Sequence, residues 1–343
     1  MPGQIPPRLS RRALLAGLGG AALSACTGTS ALTVDSAASA TTPPPGPRVV
    51  VLGTAALDSA MTLGITPVGA ALNPADGSLP DYWPASRLAE ITPVGDIGLP
   101  DTAVVRRLRP DLIIGDQAGD GAHYETLSRI APTLLTASAG QAWKAAFQQH
   151  AQALDRRAAA DAFTAAYQRH VGQVAQALAA AGLAGRRISV VRLTDGAPPR
   201  LYGRQSFPGT LLADVQLGRP DSQSTDQAET ELGADQLARA DGDFILYAVA
   251  ASTPRPPNAP GAPSAPSALT GADGTDSTDS TDSTDGADGV TGSSGVLASA
   301  GWQALAAVRA HRAFPVSDHL WFQGVGYTGA NAVLDELQHL LGA

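Results

Sequence analysis

The chain has 343 residues, of which 44% are hydrophobic and 16% are charged, and its formal net charge is −8. Such values are ordinary for a globular protein, and the length leaves room for two modest domains. The acidic balance argues against a nucleic-acid partner, because such partners are held by clusters of basic residues.

The first 26 residues are typical of an export signal. Arg11 and Arg12 precede a short apolar run that ends in the sequence Leu-Ser-Ala-Cys at Cys26. The arginine pair resembles the twin-arginine export motif, and the last four residues resemble the cleavage site of bacterial lipoproteins. The apolar run is too short to span a bilayer. We therefore expect cleavage before Cys26; the alternative is an unprocessed signal anchor in which the cysteine occurs by chance.

Cys26 is the only cysteine of the chain, so it cannot form an intramolecular disulfide. Its position suits acylation of a new N-terminus, which would hold the protein on the outer face of the cell membrane as a lipoprotein. Residues 27–47 are rich in Ser, Thr, Ala and Pro and predict a flexible tether between the lipid and the folded part.

Residues 48–154 predict an α/β lobe with a mainly parallel sheet. Short apolar runs alternate there with short helical segments. The predicted strands lie at 48–53, 65–69, 91–95, 111–115 and 132–136. The same alternation restarts at residue 187, so residues 186–343 predict a second α/β lobe.

Between the lobes, residues 155–185 predict one long helix. Its apolar residues at helical spacing are Phe163, Tyr167, Val171, Val174 and Leu178. We expect Asp155 to cap a helix that runs from about residue 157 to residue 181 and is roughly 38 Å long. We interpret it as a rigid connection between two lobes; the alternative is a long helix packed inside one large domain.

Residues 252–295 interrupt the second lobe. They are rich in proline at first, then repeat the triplet Asp-Ser-Thr, and they contain no aromatic residue. Because so few apolar side chains cannot form a core, the segment predicts a disordered surface insertion. The spacing of its aspartates does not match a calcium-binding EF-hand loop.

The motifs of common catalytic sites are absent from the sequence. It contains no Gly-x-Ser-x-Gly, no His-Glu-x-x-His and no Gly-x-x-x-x-Gly-Lys-Ser/Thr. The six histidines are scattered and indicate no tight metal site. The sequence therefore favours a binding protein without a resident cofactor or metal over an enzyme.

Aromatic and cationic residues follow several predicted strands. Because ligands of α/β proteins bind outside the carboxyl ends of strands, we expect these side chains to face a crevice between the lobes. Arginine suits oxygen-rich ligands, and aromatic rings cover planar surfaces. The candidate ligand-binding residues are Tyr82, Trp83, Arg192, Tyr202, Arg204, Trp321 and Tyr327. The alternatives are core packing for the rings and a salt bridge for Arg192.

Several segments, taken in order, resemble the substrate-binding proteins of bacterial iron-siderophore ABC importers. They are Leu63–Gly69, Leu108–Gly115, Leu127–Thr133, Arg200–Phe207, Ala240–Asp243 and Trp321–Gly324. The resemblance covers roughly residues 48–251 and 296–341. It implies two α/β lobes with mainly parallel sheets joined by a single long backbone helix, and capture of a ferric siderophore for an ABC importer.

The resemblance also implies that one acidic residue on each lobe docks with the membrane permease. In the first lobe the family pattern has glutamate where this chain has Ala103, and in the second it has glutamate where this chain has Asp235. We therefore expect docking at Asp101 and Asp235. The alternative is a surface scaffold that has lost transport.

Together these features predict a monomeric, non-catalytic lipoprotein that holds an Fe(III)-siderophore between two lobes and passes it to an ABC importer. Because the long helix resists bending, we expect small rearrangements rather than a large hinge motion on binding. Haem or a corrinoid is the alternative ligand, with His319 or Tyr327 as the residue that would ligate haem iron.

Overall fold

The computed structural model describes residues 46–137, 142–250 and 292–343. The predicted export signal, Cys26, nearly all of the predicted tether and most of the predicted insertion lie outside the described residues. In the part that is described, no helix combines the length and the apolar character needed to cross a membrane.

The first lobe is built on a sheet with the strand order β4-β3-β2-β1-β5-β6. Its pairs are parallel except for β3 with β4. The strands are β1 (Val49–Val51), β2 (Gly69–Leu72), β3 (Thr92–Asp96), β4 (Leu99–Pro100), β5 (Leu112–Asp116) and β6 (Thr133–Thr136). Strands β1 and β2 are buried along their whole length, as expected for parallel strands covered on both faces.

Short helices connect these strands. The described helices of this lobe are α1 (Thr54–Thr62), α2 (Ala85–Leu88), α3 (Thr102–Leu108), α4 (Gln117–Asp120), α5 (Tyr124–Ser128) and α6 (Ala142–Ala153). The carboxylates of Asp101 and Asp116 accept hydrogen bonds from the first backbone amides of α3 and α4, and these bonds set where the two helices begin.

The second lobe contains a sheet with the strand order β11-β10-β7-β8-β9. Its strands are β7 (Ile188–Thr194), β8 (Arg200–Tyr202), β9 (Glu229–Glu231), β10 (Phe244–Ala250) and β11 (Ala313–Pro315). Strand β10 pairs in parallel with β7 and β11, whereas β8 pairs antiparallel with β7 and β9. This sheet is therefore mixed, because the loop between β7 and β8 is too short for the crossover that a parallel pair requires.

The helices of the second lobe are α8 (Phe207–Asp214), α9 (Ser293–Ala298), α10 (Ala300–Gln303), α11 (Ala306–Arg309) and α12 (Tyr327–Leu341). A π-helical turn, His319–Gln323, lies between β11 and α12. Gln323 of this turn is hydrogen-bonded to Asn73 of the first lobe.

Helix α7 (Arg157–Ala180) connects the two lobes, and its 24 residues make it about 36 Å long. Its buried residues are Ala160, Tyr167, Val171, Val174 and Leu178. Phe163, which was predicted to share this face, is 41% exposed. The predicted cap is also wrong. Asp155 has φ of 54° in the turn before the helix, whereas a capping residue needs an extended backbone.

One hydrophobic core runs through the connection and into both lobes. The largest buried cluster contains Val49 of β1, Trp143 of α6, Tyr167 of α7, Ile188 of β7 and Leu334 of α12. Helix α12 packs against both α7 and α1. Two smaller clusters cover the opposite faces of the two sheets. The connecting helix is thus part of a shared core and is not a free-standing rod.

Candidate functional site

A cleft lies where the parallel strands of the first sheet end. One cavity of about 290 Å³ is lined by both lobes, and a second cavity of about 310 Å³ is lined mainly by the first lobe. The two cavities share Gly53, Thr54 and Ile97. Residues that end or directly follow β1, β2, β3, β5 and β6 line them, namely Gly53, Asn73, Ile97, Asp116 and Thr136. This is the usual ligand position in open α/β sheets.

The second lobe contributes Arg192, Phe322 and Gln323 to the first cavity. The guanidinium carbon of Arg192 lies 5.7 Å from the centroid of the Phe322 ring. Tyr202 is buried and packs edge-on against Phe322, with ring centroids 4.6 Å apart. Of the predicted ligand-binding residues, Arg192 lines the cavity and Tyr202 contacts the Phe322 ring that lines it.

The charge of Arg192 is compensated by a carboxylate. Its Nε donates to Oδ1 of Asp318 over 2.6 Å and its Nη2 donates to Oδ2 over 2.8 Å. Burial lowers the pKa of Arg192, but the hydrogen bonds and the charge of Asp318 outweigh burial and raise it. This paired, two-bond geometry holds the guanidinium fork in a fixed orientation at the cavity.

Hydrogen bonds cross the mouth of the cleft. Nε2 of Gln323 donates to Oδ2 of Asp318 over 2.7 Å, and Nδ2 of Asn73, in the first lobe, donates to Oε1 of Gln323 over 2.5 Å. Nearby, Nε2 of His319 lies 3.2 Å from Oδ2 of Asp76. A polar chain from Arg192 to Asn73 therefore links the two lobes directly above the first cavity.

A buried carboxylate links the lobes on the side where α1, α7 and α12 pack together. Asp58 of α1 accepts hydrogen bonds from the backbone amides of Thr328 and Gly329 at the start of α12, over 3.3 and 3.2 Å. It also accepts from the hydroxyl of Tyr82 over 3.3 Å. Burial, which outweighs these hydrogen bonds, raises the pKa of Asp58 to about 6. Gly326 precedes α12 with φ of 141°, and a Cβ there would collide with Asp58.

Three predicted ligand-binding residues line neither of the two cavities. Tyr82 is half-buried and engaged with Asp58. Trp83 is buried, and the guanidinium carbon of Arg87 lies 5.5 Å from its ring centroid. Arg204 is exposed and lies 3.8 Å from Asp226. Ligand contact through these side chains stays a prediction.

Trp321 and Tyr327 lie in the core, which corrects the expectation that they line the cleft. Trp321 is fully buried, and its Nε1 donates to Oε2 of Glu336 over 2.6 Å. Tyr327 packs edge-on against Trp143, Phe147 and Tyr167, with ring centroids between 4.6 and 5.1 Å apart. The π-helical turn explains the change, because it directs Trp321 inward and the next two residues toward the cavity.

Two buried titratable groups border the second cavity. Nε2 of His150 lies 2.9 Å from Oγ1 of Thr136, and its Nδ1 lies 2.9 Å from Oγ of Ser59. Burial lowers the pKa of His150 to about 4. Oδ2 of Asp120 accepts from the amide of Asp116, and its Oδ1 has no hydrogen-bond partner within the described ranges. Burial, followed by the charge of Asp116, raises the pKa of Asp120 despite that hydrogen bond.

The sequence reasoning missed several cleft residues. They are Asn73, Asp120, Asp318, Phe322 and Gln323. Asn73 follows β2 directly, so the rule that ligands bind beyond strand ends could have found it. The orientation of Phe322 depends on the irregular turn, which no periodic pattern in the sequence predicts.

The predicted permease-docking residues are both exposed and belong to different lobes. Oδ1 of Asp101 accepts from the amides of Ala103 and Val104, so the carboxylate caps α3. Asp235 lies in a 3₁₀-helical segment, Ala234–Ala240. Their exposure is compatible with docking, which stays a prediction, and lipidation of Cys26 falls outside the described residues.

Within the described ranges, no group of three or more histidine, cysteine, aspartate or glutamate residues is arranged to hold a metal ion. The two residues expected as haem ligands line neither of the two cavities of the cleft. Tyr327 is core-packed, and His319 lies between Asp76 and Asp81, at 3.2 and 4.0 Å.

Comparison with known proteins agrees with this architecture. Residues 49–317 match the model of a family described as "Periplasmic binding protein". The "Probable siderophore-binding lipoprotein YfiY" of Bacillus subtilis is 29% identical over 179 residues, which cover 51% of this chain and 53% of that relative. The "Fe(3+)-citrate-binding protein YfmC" of the same organism is 39% identical over 94 residues, which cover 25% of this chain and 27% of the relative.

These alignments thus span about half of the first relative and about a quarter of the second. Among solved structures, Staphylococcus aureus SirA complexed with staphyloferrin B superposes with a TM-score of 0.67 at 22% identity. The superposition covers 87% of this chain and 94% of that chain. At this level of identity the likeness concerns the fold.

Proposed function

The chain belongs to the periplasmic binding protein family, and from this premise we propose that it is an extracytoplasmic receptor that captures a ferric siderophore in its interlobe cleft. The observation that carries the proposal is the first cavity. Both lobes line it, at strand ends, and the second lobe presents a guanidinium and an aromatic ring to it. These groups suit the oxygen atoms and the planar arms of a chelate. The relatives, a probable siderophore-binding lipoprotein and an Fe(3+)-citrate-binding protein, support an iron complex as the cargo.

The receptor would deliver its cargo to an ABC importer and would not transform it. Exposed carboxylates on both lobes, Asp101 and Asp235, offer one docking point on each side of the cleft. A lipid on Cys26 would hold the receptor, as a monomer, near the membrane in which the importer lies. The family is one of binding proteins, which supports a role without catalysis.

Ligand entry would require local opening and not rotation of whole lobes. The shared core and the bonds of Asp58 to α12 resist separation of the lobes on the helix side. The bond between Asn73 and Gln323 is made by half-buried side chains and can exchange with water. We expect the segment of residues 319–323 and the loop after β2 to move when a chelate binds.

Titration of intrinsic tryptophan fluorescence tests the proposal. Ferric hydroxamate, catecholate and carboxylate complexes should be compared with their iron-free chelators, and at least one ferric complex should bind with a micromolar or lower Kd. Arg192→Gln should weaken that binding by about tenfold, because it removes a charge-assisted donor at the cavity. Arg129→Gln is the matched control, since Arg129 is exposed and pairs with Glu125 on α5.

Far-UV circular dichroism and Tm should accompany both variants, because Arg192→Gln leaves Asp318 without its partner. Absence of binding by every ferric class in the folded wild-type protein would overturn the proposal. Equal loss of affinity in the Arg192 and Arg129 variants would remove the cleft as the binding site.

A further inference from the structure

The cleft is unusual in its balance of charge. Among the described residues that line the two cavities, Arg192 is the only arginine or lysine, whereas Asp116 and Asp120 are both acidic. Asp318 neutralises Arg192 through two hydrogen bonds. The cavities therefore present no uncompensated positive charge to a ligand.

From this balance we propose that the site selects ferric complexes without net negative charge, of which iron held by three hydroxamate groups is the representative class, and discriminates against anionic catecholate and carboxylate complexes. The inference rests on the proposed function. Three hydroxamates balance the charge of Fe(III), whereas three catecholates leave the complex with three negative charges. The two classes therefore present the same metal at very different charge.

Arg192 cannot exchange its partner Asp318 for an anionic group of a ligand without a cost in free energy. The side chain of Asp318 is 10% exposed, and it also accepts a hydrogen bond from the side-chain amide of Gln323. A ligand carboxylate or catecholate that took the guanidinium would leave Asp318 buried without its counter-charge, which is strongly unfavourable. A neutral oxygen can share the outer face of the guanidinium while the ion pair persists.

Three other basic side chains, which line neither cavity, are also engaged. Arg204 is exposed beside Asp226 and lines neither cavity. Arg87 lies over Trp83 and donates to Oγ1 of Thr66. His319 lies 3.2 Å from Asp76 and 4.0 Å from Asp81. None of these groups supplies a free positive charge to an anion in the cavities.

Among the described residues, the second cavity contains a hydrogen-bond acceptor without a donor. Asp120 is 1% exposed and borders that cavity, and its Oδ1 has no hydrogen-bond donor in the described part of the chain. A buried acceptor without a donor is costly unless a ligand or water supplies one. A hydroxamate chelate with N–H or ammonium groups can provide such a donor, whereas a catecholate trianion would be repelled by Asp116 and Asp120.

Isothermal titration of the folded wild-type protein with four ferric complexes tests the inference. The probes are ferrioxamine B, which carries a pendant ammonium, its N-acetylated neutral form, a ferric tris-catecholate and ferric citrate. We expect the two hydroxamate complexes to bind at least about tenfold more tightly than the two anionic complexes. We expect ferrioxamine B to bind at least as tightly as its acetylated form.

Asp318→Asn sharpens the test by releasing the charge of Arg192. We expect this variant to gain about tenfold in affinity for ferric citrate relative to the hydroxamate complexes. Asp226→Asn is the matched control, because Asp226 is exposed beside Arg204 and lies outside both cavities. It should leave the order of affinities unchanged.

Each outcome bears on a separate claim. Equal or tighter binding of the tris-catecholate or of citrate by the wild-type protein overturns the charge inference and leaves the proposed function intact. Failure of all four complexes to bind removes the proposed function and the inference with it. If Asp318→Asn does not fold, the comparison of the four complexes in the wild-type protein still decides.

Discussion

The two lobes meet in two places that differ in chemistry. At the mouth of the cleft the contacts are single hydrogen bonds between half-buried polar side chains, of which Asn73 with Gln323 is the clearest. On the side of the connecting helix α7 the contacts are buried. Trp143 packs there against Tyr167, Phe207 and Tyr327, and Asp58 accepts the first amides of α12.

Because of this difference, we expect the two contact regions to have separate roles, one in stability and the other in ligand binding. Burial of large aromatic rings contributes much free energy and tolerates little displacement. Exchangeable hydrogen bonds near solvent contribute about 1 kcal/mol each and reform easily. We therefore expect changes on the helix side to lower the free energy of unfolding, and changes at the mouth to alter ligand binding with little effect on stability.

The largest expected effect follows from Trp143→Ala. Trp143 is 2% exposed and touches three aromatic rings, of which one belongs to α7 and two belong to the second lobe. Truncation removes these contacts, leaves a cavity and takes the indole donor from Thr210. We expect the free energy of unfolding, measured with urea, to fall by about 3–5 kcal/mol.

Phe163→Ala is the matched control for this substitution. Phe163 lies on α7 but is 41% exposed, so its truncation should change the free energy of unfolding by less than about 1 kcal/mol. A loss as large as that of Trp143→Ala would mean that the sequence-predicted face of α7 was the correct one.

The second effect is a pH dependence that Asp58 produces. Burial raises the pKa of Asp58 from 3.8 to about 6. A carboxyl group whose pKa is raised in the folded state stabilises the fold while it is protonated. This contribution is complete at pH values below the pKa of the unfolded state, and it is lost as pH rises through the pKa of the folded state. The free energy of unfolding of the wild type relative to Asp58→Asn should therefore fall by about 3 kcal/mol between about pH 3 and pH 7.

Urea titrations of both proteins across this range measure the difference. The neutral His150, whose pKa burial lowers to about 4, contributes with the opposite sign, and its contribution cancels because both proteins contain it. A difference that is flat with pH would contradict the assignment of Asp58 as a buried carboxylate that links α1 with α12.

The smallest effect on stability is expected at the mouth. Asn73→Ala removes the hydrogen bond to Gln323 and should change the free energy of unfolding by less than about 1 kcal/mol. Because one contact that bridges the mouth is gone, the association rate of the bound ferric complex, followed by stopped-flow fluorescence, should rise. A stability loss comparable to that of Trp143→Ala would end the distinction between the two contact regions.

Much of the fold could be predicted from local patterns. Buried runs such as Val49–Val51, and the apolar spacing from Tyr167 to Leu178, indicate parallel strands and a long helix because the sequence period matches the structural period. Asp155 and Phe163 were misread at the start of α7. The sharp turn after α6 is determined by tertiary packing and leaves no periodic signal in the sequence.

The site was less predictable for a related reason. Arg192 was found because it lies in an ordinary strand whose carboxyl end points to the cleft. Trp321 was predicted to bind ligand because it follows a predicted strand, yet its ring lies in the core and the neighbouring Phe322 lines the cavity. The pairing of Arg192 with Asp318, 126 residues away, depends on the assembled fold and has no counterpart in local sequence.

The central claim, that a ferric complex binds in the cleft between the lobes, is tested most directly by anomalous diffraction at the iron edge from crystals grown with the complex that binds. The account predicts one anomalous peak in the cavity bordered by Arg192 and Phe322, with the chelate touching both lobes. An iron peak on another surface of the protein, in crystals of a complex that binds in solution, would contradict it.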